Sequence, residues 1–158
     1  MKYLEEKKRL GTGGALSLIK TELNDPFFVT NGDVLSSLDY EKLLEYHKDQ
    51  NAMATMCIRK DSYQIPYGVI EVDDENNIKA MKEKPTKEFF INTGIYVLEP
   101  EVLGFVPKDE FFDLPSLFDV LKTDGKVAKS FEITDYWIDM GRPSDYEAII
   151  EKLENNID

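Results

Sequence analysis

The stretch LGTGGAL at residues 10–16 and the stretch FFVTNGD at residues 27–33 decide the fold that this sequence predicts. Helix-forming residues follow the glycines, and an Asn-Asp-Pro breaker precedes the apolar run Phe27–Thr30, so we predict a helix, a turn and a buried strand. The strand ends in Asn-Gly-Asp, which places Asp33 directly behind it. Open α/β sheets bind ligands beyond the carboxyl ends of their strands, so these segments indicate a binding site as well as a fold.

The rest of the chain predicts helices and strands in alternation at first and mainly strands later. Asp39 can cap a helix with one apolar stripe, formed by Tyr40, Leu43, Leu44 and His47. Further strands are predicted at residues 54–58, 67–72, 78–82, 91–98, 127–133 and 136–140, with a short helix at residues 115–121 and a closing helix after Pro143. This order predicts an α/β protein with a mixed sheet rather than a helix bundle or a β-sandwich.

The composition excludes several classes of protein. The 158 residues carry a formal net charge of −12, which disfavours nucleic acid and anionic membranes as partners because these are negative too. No run approaches the length of a membrane span, and the single cysteine, Cys57, excludes a disulfide framework, so we expect a cytoplasmic protein. A phosphate ligand would then require a divalent cation and a few well-placed Lys or Arg side chains.

Two acidic residues stand where a metal ligand is expected. Asp33 follows the strand at Phe27–Thr30, and Asp139 lies near the end of another predicted strand, shortly before a glycine. A hard carboxylate oxygen suits Mg²⁺, so the two side chains could share one ion. The alternative is that Asp33 only caps the next segment of the chain.

The glycine loop is a weaker signal. Its residues Gly11, Thr12, Gly13 and Gly14 let the backbone approach a ligand closely and would present N–H groups at the start of a helix. The loop matches neither GxGxxG nor GxxxxGK[ST], the two common phosphate-binding patterns. A simple turn is therefore an equally good interpretation.

Two polar segments interrupt the later strands. The segment EKP at residues 83–85 places the positively charged side chain of its lysine at a strand end, although a solvated charged turn is the alternative. NTG at residues 92–94 lies inside an apolar strand, which it weakens unless something approaches that strand closely, and Gly68 repeats this pattern. We interpret His47 and Cys57 as residues of the core.

Six segments together resemble, in sequence and in order, the sugar-1-phosphate nucleotidyltransferases, which make nucleotide sugars. The likeness covers nearly the whole chain, is closest to the mannose-1-phosphate guanylyltransferase-like branch, and implies a Rossmann-like α/β fold whose mixed, mainly parallel sheet is flanked by helices. The six segments are LGTGGAL (10–16), FFVTNGD (27–33), IPYGVIEVD (65–73), EKP (83–85), INTGIYVLEP (91–100) and YWIDMGRPSDY (136–146).

The resemblance also implies a role for particular residues. The nucleotide would be bound by Gly11, Thr12 and Gly14. The catalytic group would consist of Asp33 and Asp139, which would bind Mg²⁺, and Lys84, which would neutralise the sugar phosphate. The sugar would be held by Gly68, Glu83, Asn92 and Thr93. A sugar-1-phosphate oxygen would attack the α-phosphorus of a nucleoside triphosphate, with GTP favoured over dTTP, and would expel pyrophosphate.

The chain departs from this family pattern at its start. The family's GxGTRL-type loop and PKP stretch, whose Arg and Lys grip the triphosphate, do not precede residues 10–16. We therefore expect residues 1–158 to be a partial catalytic domain that lacks the first βαβ portion. The bared sheet edge would favour homo-oligomers, and we expect no nucleotidyltransferase activity from this polypeptide alone.

Two other functions are compatible with the same residues. One is a noncatalytic module that retains a sugar-phosphate pocket. The other is a glycosyltransferase-like protein that binds nucleotide sugars, although residues 31–33 do not match the Asp-x-Asp metal motif common there. The identities of the base and of the sugar do not follow from the sequence.

Overall fold

A computed structural model of the chain describes residues 3–141, and the closing helix predicted after Pro143 lies outside them. The described helices are α1 (Gly11–Gly14), α2 (Tyr40–Asp49) and α3 (Leu114–Thr123), with 3₁₀ helices at Ala15–Leu18 and Pro100–Phe105. The described strands are β1 (Phe27–Thr30), β2 (Val34–Ser36), β3 (Ala54–Gln64), β4 (Val69–Val72), β5 (Ile78–Lys82), β6 (Thr86–Leu98), β7 (Ala128–Glu132) and β8 (Trp137–Asp139). None of the helices in this part of the chain is long and apolar enough to cross a membrane.

The central sheet has four strands in the order β1, β6, β3, β7. Strand β6 is antiparallel to both β1 and β3, whereas β3 and β7 are parallel. Strands β1, β3 and β7 therefore point in one direction, and β6 alone runs against them. The sheet is mixed, as predicted, and most of its strands share a direction, although β3 and β7 form its one parallel pairing.

Both faces of this sheet are covered by helices. Successive side chains of a strand point to opposite faces. On β6, Tyr96 and Leu98 belong to the core cluster that contains α3, whereas Ile95 and Val97 belong to the cluster that contains Leu43 of α2. A strand that is buried on both faces is a continuous apolar run, and this explains the hydrophobic sequence at the end of β6.

The outer halves of β3 and β6 extend beyond the predicted strands. The sequence predicted residues 54–58 and 91–98, but β3 continues to Gln64 and β6 begins at Thr86. These added residues pair with each other and are mostly exposed, with Lys60 opposite Phe90. A strand that is exposed on both faces shows no apolar periodicity, so both strands were predicted to be shorter than they are.

Two smaller sheets complete the described fold. Strands β4 and β5 form the predicted hairpin. Strands β2 and β8 form an antiparallel pair in which Val34 lies opposite Asp139. Strand β2 was not predicted, because three residues after a turn are too few to show a period. This short ladder matters because it brings the chain after Asp33 beside Asp139.

His47 and Cys57 are core residues, as we interpreted them. The imidazole of His47 is fully buried and contacts Thr55 Oγ1 at 2.8 Å through Nδ1 and Glu99 Oε1 at 3.2 Å through Nε2. Burial raises the pKa of the Cys57 thiol to about 12, so this cysteine is not a nucleophile at neutral pH.

Candidate functional site

The carboxylates of Asp33 and Asp139 converge. The backbone N–H of Met140 donates to the carbonyl of Asp33 at 2.8 Å, which fixes the two segments side by side. A Cβ atom added to Gly141 would lie 2.9 Å from Asp139 Oδ1 and 3.4 Å from Asp33 Oδ2. The two carboxylates therefore flank one glycine, and this proximity, which the sequence could only suggest, is present in the structure.

This pair suits one class of metal ion. Mg²⁺ retains several waters and is usually bound by one or two carboxylates together with substrate phosphates. Within residues 3–141 no group of three or more His, Cys, Asp or Glu side chains could hold a metal ion. The donor set therefore fits a Mg²⁺ ion that a phosphorylated ligand helps to bind, and it does not fit a preformed protein cage.

Each carboxylate of the pair lines a cleft. One has a volume of about 700 Å³, and the residues that line it include Arg59, Asn92, Trp137 and Asp139. The other is lined by Thr12, Thr30, Asn31, Gly32 and Asp33. Since Asp139 lines the first cleft and Asp33 the second, an ion between them would be accessible from both.

Gly94 allows strand β6 to lie against the loop that carries Asp33. Gly94 has φ +73°, and a Cβ atom there would lie 2.7 Å from Asn31 Nδ2. The Asn31 N–H donates to the Gly94 carbonyl at 2.9 Å. The interruption of the apolar strand by NTG predicted a close approach, and the approaching group is Asn31.

Asn92 and Thr93 differ in how they are placed. Asn92 is exposed and lines the larger cleft, where its Nδ2 donates to the Tyr96 hydroxyl at 2.6 Å. The Thr93 side chain is only 1% exposed, and its hydroxyl donates to the Cys57 carbonyl at 2.9 Å. The geometry therefore favours Asn92 and disfavours the Thr93 side chain as a sugar ligand.

The glycine loop packs against the segment that begins α3. The N–H groups of Gly13 and Gly14 both donate to the Phe112 carbonyl at 2.9 Å, and the Thr12 N–H donates to Asp113 Oδ1 at 3.3 Å. Our expectation that these N–H groups face a ligand is wrong, because the protein itself uses them.

The same packing explains why glycines occur in this loop. A Cβ atom on Gly11 would lie 2.8 Å from the Phe112 carbonyl oxygen, and one on Gly14 would lie 2.7 Å from Leu10 Cβ. Thr12 alone of the three predicted nucleotide ligands lines the cleft beside Asp33. Nucleotide binding by Gly11, Thr12 and Gly14 stays a prediction, and it would have to use other atoms of the loop.

Gly68 and Glu83 lie together, whereas Lys84 occupies a tight turn. A Cβ atom on Gly68 would lie 3.0 Å from Glu83 Oε2. Lys84 has φ +45°, an uncommon conformation for a residue with a side chain, and its N–H donates to the Tyr67 carbonyl at 3.2 Å. The Lys84 side chain is exposed and forms no ion pair with another residue of the described range 3–141.

Sequence reasoning missed the cation in the larger cleft. Arg59 lies just beyond the apolar run at residues 54–58 and donates from Nη1 to the Trp137 carbonyl at 3.3 Å. The available signal was a basic residue that continues a buried strand toward its exposed end. It was overlooked because the predicted strand stopped at Ile58.

The fold and the paired carboxylates define a Rossmann-like α/β protein with strand-end acidic residues at its clefts. Within that class the chain belongs to the nucleotidyl transferase family, whose model matches residues 1–156.

Curated relatives and solved structures agree with this assignment. A probable mannose-1-phosphate guanylyltransferase 1 of Oryza sativa subsp. japonica is 33% identical over 150 residues, which cover 90% of this chain and 41% of the rice protein. A UTP–glucose-1-phosphate uridylyltransferase of Synechocystis is 35% identical over 150 residues, which cover 88% of this chain and 38% of that protein. This chain thus spans about 40% of the length of these curated relatives.

The crystal structure of HddC from Yersinia pseudotuberculosis matches this fold with a TM-score of 0.64 and 30% sequence identity. The match covers 94% of this chain and 64% of HddC. A second structure of HddC is a complex with GMP-PN. Nearly all of this chain therefore has a fold similar to part of HddC.

Proposed function

We propose that this chain contributes the metal-binding and sugar-phosphate-binding part of a sugar-1-phosphate nucleotidyltransferase. The reaction joins a sugar-1-phosphate to the nucleotidyl group of a nucleoside triphosphate and releases pyrophosphate. The observation that carries this proposal is the convergence of Asp33 and Asp139, each of which lines a cleft, in a chain of the nucleotidyl transferase family. The relatives named for mannose-1-phosphate and glucose-1-phosphate support the substrate class.

The chemistry requires positioning and charge neutralisation. An oxygen of the sugar phosphate forms a bond to the α-phosphorus, while the bond from that phosphorus to the pyrophosphate oxygen breaks. Mg²⁺, when bound, stabilises the negative charge that develops on the phosphate oxygens. Asp33 and Asp139 hold this ion, and the protein needs no covalent intermediate.

The remaining predicted residues take the sugar and nucleotide roles. Glu83, supported by its approach to Gly68, accepts hydrogen bonds from sugar hydroxyls, and Asn92 contacts the same sugar from the larger cleft. Lys84 neutralises the sugar phosphate, and Thr12 contributes to the nucleotide cleft beside Asp33.

The preference for GTP over dTTP is also a proposal. It is supported by the guanylyltransferase name of the rice relative and by the GMP-PN complex of HddC. The name of the Synechocystis relative, a uridylyltransferase, shows that similar sequences are named for other bases. Cytoplasmic location and a homo-oligomeric state stay predictions.

The test is calorimetric titration of the 158-residue chain with mannose-1-phosphate and with glucose-1-phosphate in the presence of MgCl₂. We expect binding of at least one sugar phosphate, and we expect Asp33→Asn and Asp139→Asn each to weaken it by about tenfold or more, because each removes a charged metal ligand.

Asp25→Asn is the matched control, because this exposed carboxylate lies in the turn before β1 and outside both clefts. It should bind like the wild type. Unchanged affinity in both site variants, with wild-type binding intact, would contradict the assignment of the metal ligands.

A further inference from the structure

Arg59 is the basic residue that lines the larger cleft. Strand register places Arg59 opposite Ile91 and Asp61 opposite Phe89, so these four side chains share one face of the paired strands β3 and β6. The guanidinium reaches β8, where Nη1 donates to the Trp137 carbonyl at 3.3 Å. Arg59 is thereby held at the wall of the cleft that contains Asp139.

Most hydrogen-bonding capacity of this guanidinium is not used by the protein. An arginine carries five N–H donors, and the Trp137 carbonyl is the acceptor that the structure provides within residues 3–141. Arg59 forms no ion pair there, even though the whole chain carries 31 acidic residues and Asp61 lies on the same strand face. The next residue, Lys60, pairs with Glu88 at 2.9 Å.

A guanidinium that is half-buried, lines a cleft and forms no ion pair is well suited to bind an anionic ligand. Its planar fork matches the oxygens of a phosphate, and charge-assisted hydrogen bonds of this kind are roughly twice as strong as neutral ones. The neighbouring aromatic side chains, Tyr63, Phe89 and Trp137, give the same cleft an apolar wall. A ligand with one phosphate and one ring system fits this combination.

The anchor of Arg59 on β8 lies close in sequence to Asp139. Arg59 is anchored at Trp137, and Asp139 lies two residues further along β8. Two residues of a strand span about 7 Å. A phosphate bound by the guanidinium would therefore lie in the cleft where Asp139 would help to hold a metal ion.

We propose that Arg59 binds the phosphate of the sugar-1-phosphate in the larger cleft, with Asp139 at the metal side of that phosphate. The inference rests on the proposed function, because the sugar phosphate is the acceptor substrate of that reaction. It adds a second cation to the acceptor site, on a different element from Lys84. Arg59 is then a substrate-binding residue that also sets the orientation of the attacking phosphate oxygen.

The experiment compares mannose-1-phosphate, glucose-1-phosphate and free mannose in calorimetric titrations of the full 158-residue chain with MgCl₂. Arg59→Gln should weaken binding of the sugar phosphate by about tenfold to a hundredfold, because it removes charge-assisted hydrogen bonds. Its affinity for free mannose should not change. The affinity of Arg59→Lys for the sugar phosphate should lie between those of the wild type and Arg59→Gln. Lysine keeps the positive charge but lacks the planar guanidinium that can donate to two oxygens at once.

Lys60→Gln is the matched control, because it removes the same charge from the adjacent position, whose side chain pairs with Glu88 outside the cleft. It should bind like the wild type. Thermal unfolding of each variant reports whether it folds. If Arg59→Gln does not fold, the comparison of Arg59→Lys with the wild type decides the question.

The outcomes separate this inference from the function on which it rests. Wild-type binding that survives in Arg59→Gln overturns the inference and leaves the proposed function standing. An equal loss for mannose and for its phosphate also overturns it, because the residue would then act through packing. No binding of either sugar phosphate by the wild type overturns both proposals.

Discussion

The absence of a side chain at Gly94 lets β6 contact the loop that carries Asp33. Replacing Gly94 by Ala would place a methyl group 2.7 Å from Asn31 Nδ2 in a backbone conformation with φ +73°. We expect Gly94→Ala to lower the free energy of unfolding by roughly 1–3 kcal/mol, measured by urea denaturation, because the left-handed conformation and the contact are both unfavourable.

The control for this substitution is Gly104→Ala in the 3₁₀ helix Pro100–Phe105. No atom lies within 4 Å of the Cβ that this change would add. The variant should be as stable as the wild type or slightly more stable, because alanine reduces the freedom of the unfolded chain. Equal effects at the two glycines would show that the contact with Asn31 is unimportant.

Single residues of the site were predictable where their chemistry is unusual for their position. Asp33 follows a strand, Asp139 ends one, and a glycine interrupts the apolar sequence of β6, so all three were noticeable. The partners of Thr93 and Arg59 come from strands that are distant in sequence. The sequence alone therefore could not show that the Thr93 hydroxyl is buried or that the Arg59 guanidinium lines the cleft.

Elements with a recognisable apolar pattern were predicted, and short elements without one were not. The stripe of α2 carries a clear period, and the cores of β1, β3 and β6 are recognisable apolar runs. Strand β2 has three residues, and the segment of the 3₁₀ helix Pro100–Phe105 shows no apolar period. Yet β2, through its pairing with β8, is the element that brings the two carboxylates together.

His47 joins three elements, and it should make their packing sensitive to pH. It lies on α2, contacts Thr55 on β3 and reaches Glu99 just after β6. Desolvation lowers the pKa of His47 below its usual 6.5, although Glu99 opposes the shift. The unfolded chain then binds a proton at a higher pH than the folded chain, so stability is complete above about 6.5 and falls as the pH drops below it.

We therefore expect the free energy of unfolding to decrease between pH 7.5 and pH 5.5, by at most about 1.4 kcal/mol per pH unit for one proton. His47→Gln should be less stable at every pH but should show a flatter dependence in urea titrations. The carboxylates with a lowered pKa, Asp39 and Asp73, have ordinary values of 3.8 and release their protons below this window. Parallel curves for wild type and His47→Gln would refute the role of this histidine.

At the scale of the whole molecule, the net charge of −12 makes binding of an anionic ligand unfavourable unless a cation neutralises part of the ligand's charge. The two clefts are lined by Arg59 and by three carboxylates, Asp33, Asp61 and Asp139, so their own charges do not neutralise a phosphate dianion. We therefore expect a divalent ion to determine whether the proposed sugar phosphate binds, so the ion and the ligand should stabilise the fold together.

This coupling predicts the effect of removing the metal. A ligand that binds only the folded state stabilises it by RT ln(1 + [L]/Kd), about 2.7 kcal/mol at one hundred times Kd. Mannose-1-phosphate with MgCl₂ should raise the thermal unfolding midpoint measured by differential scanning fluorimetry, and the same ligand with excess EDTA should not. MgCl₂ alone is the necessary control, because the carboxylate pair can bind the ion weakly without phosphate. An equal rise in EDTA would mean that the basic side chains neutralise the phosphate without a metal, and it would assign Asp33 and Asp139 to some other role.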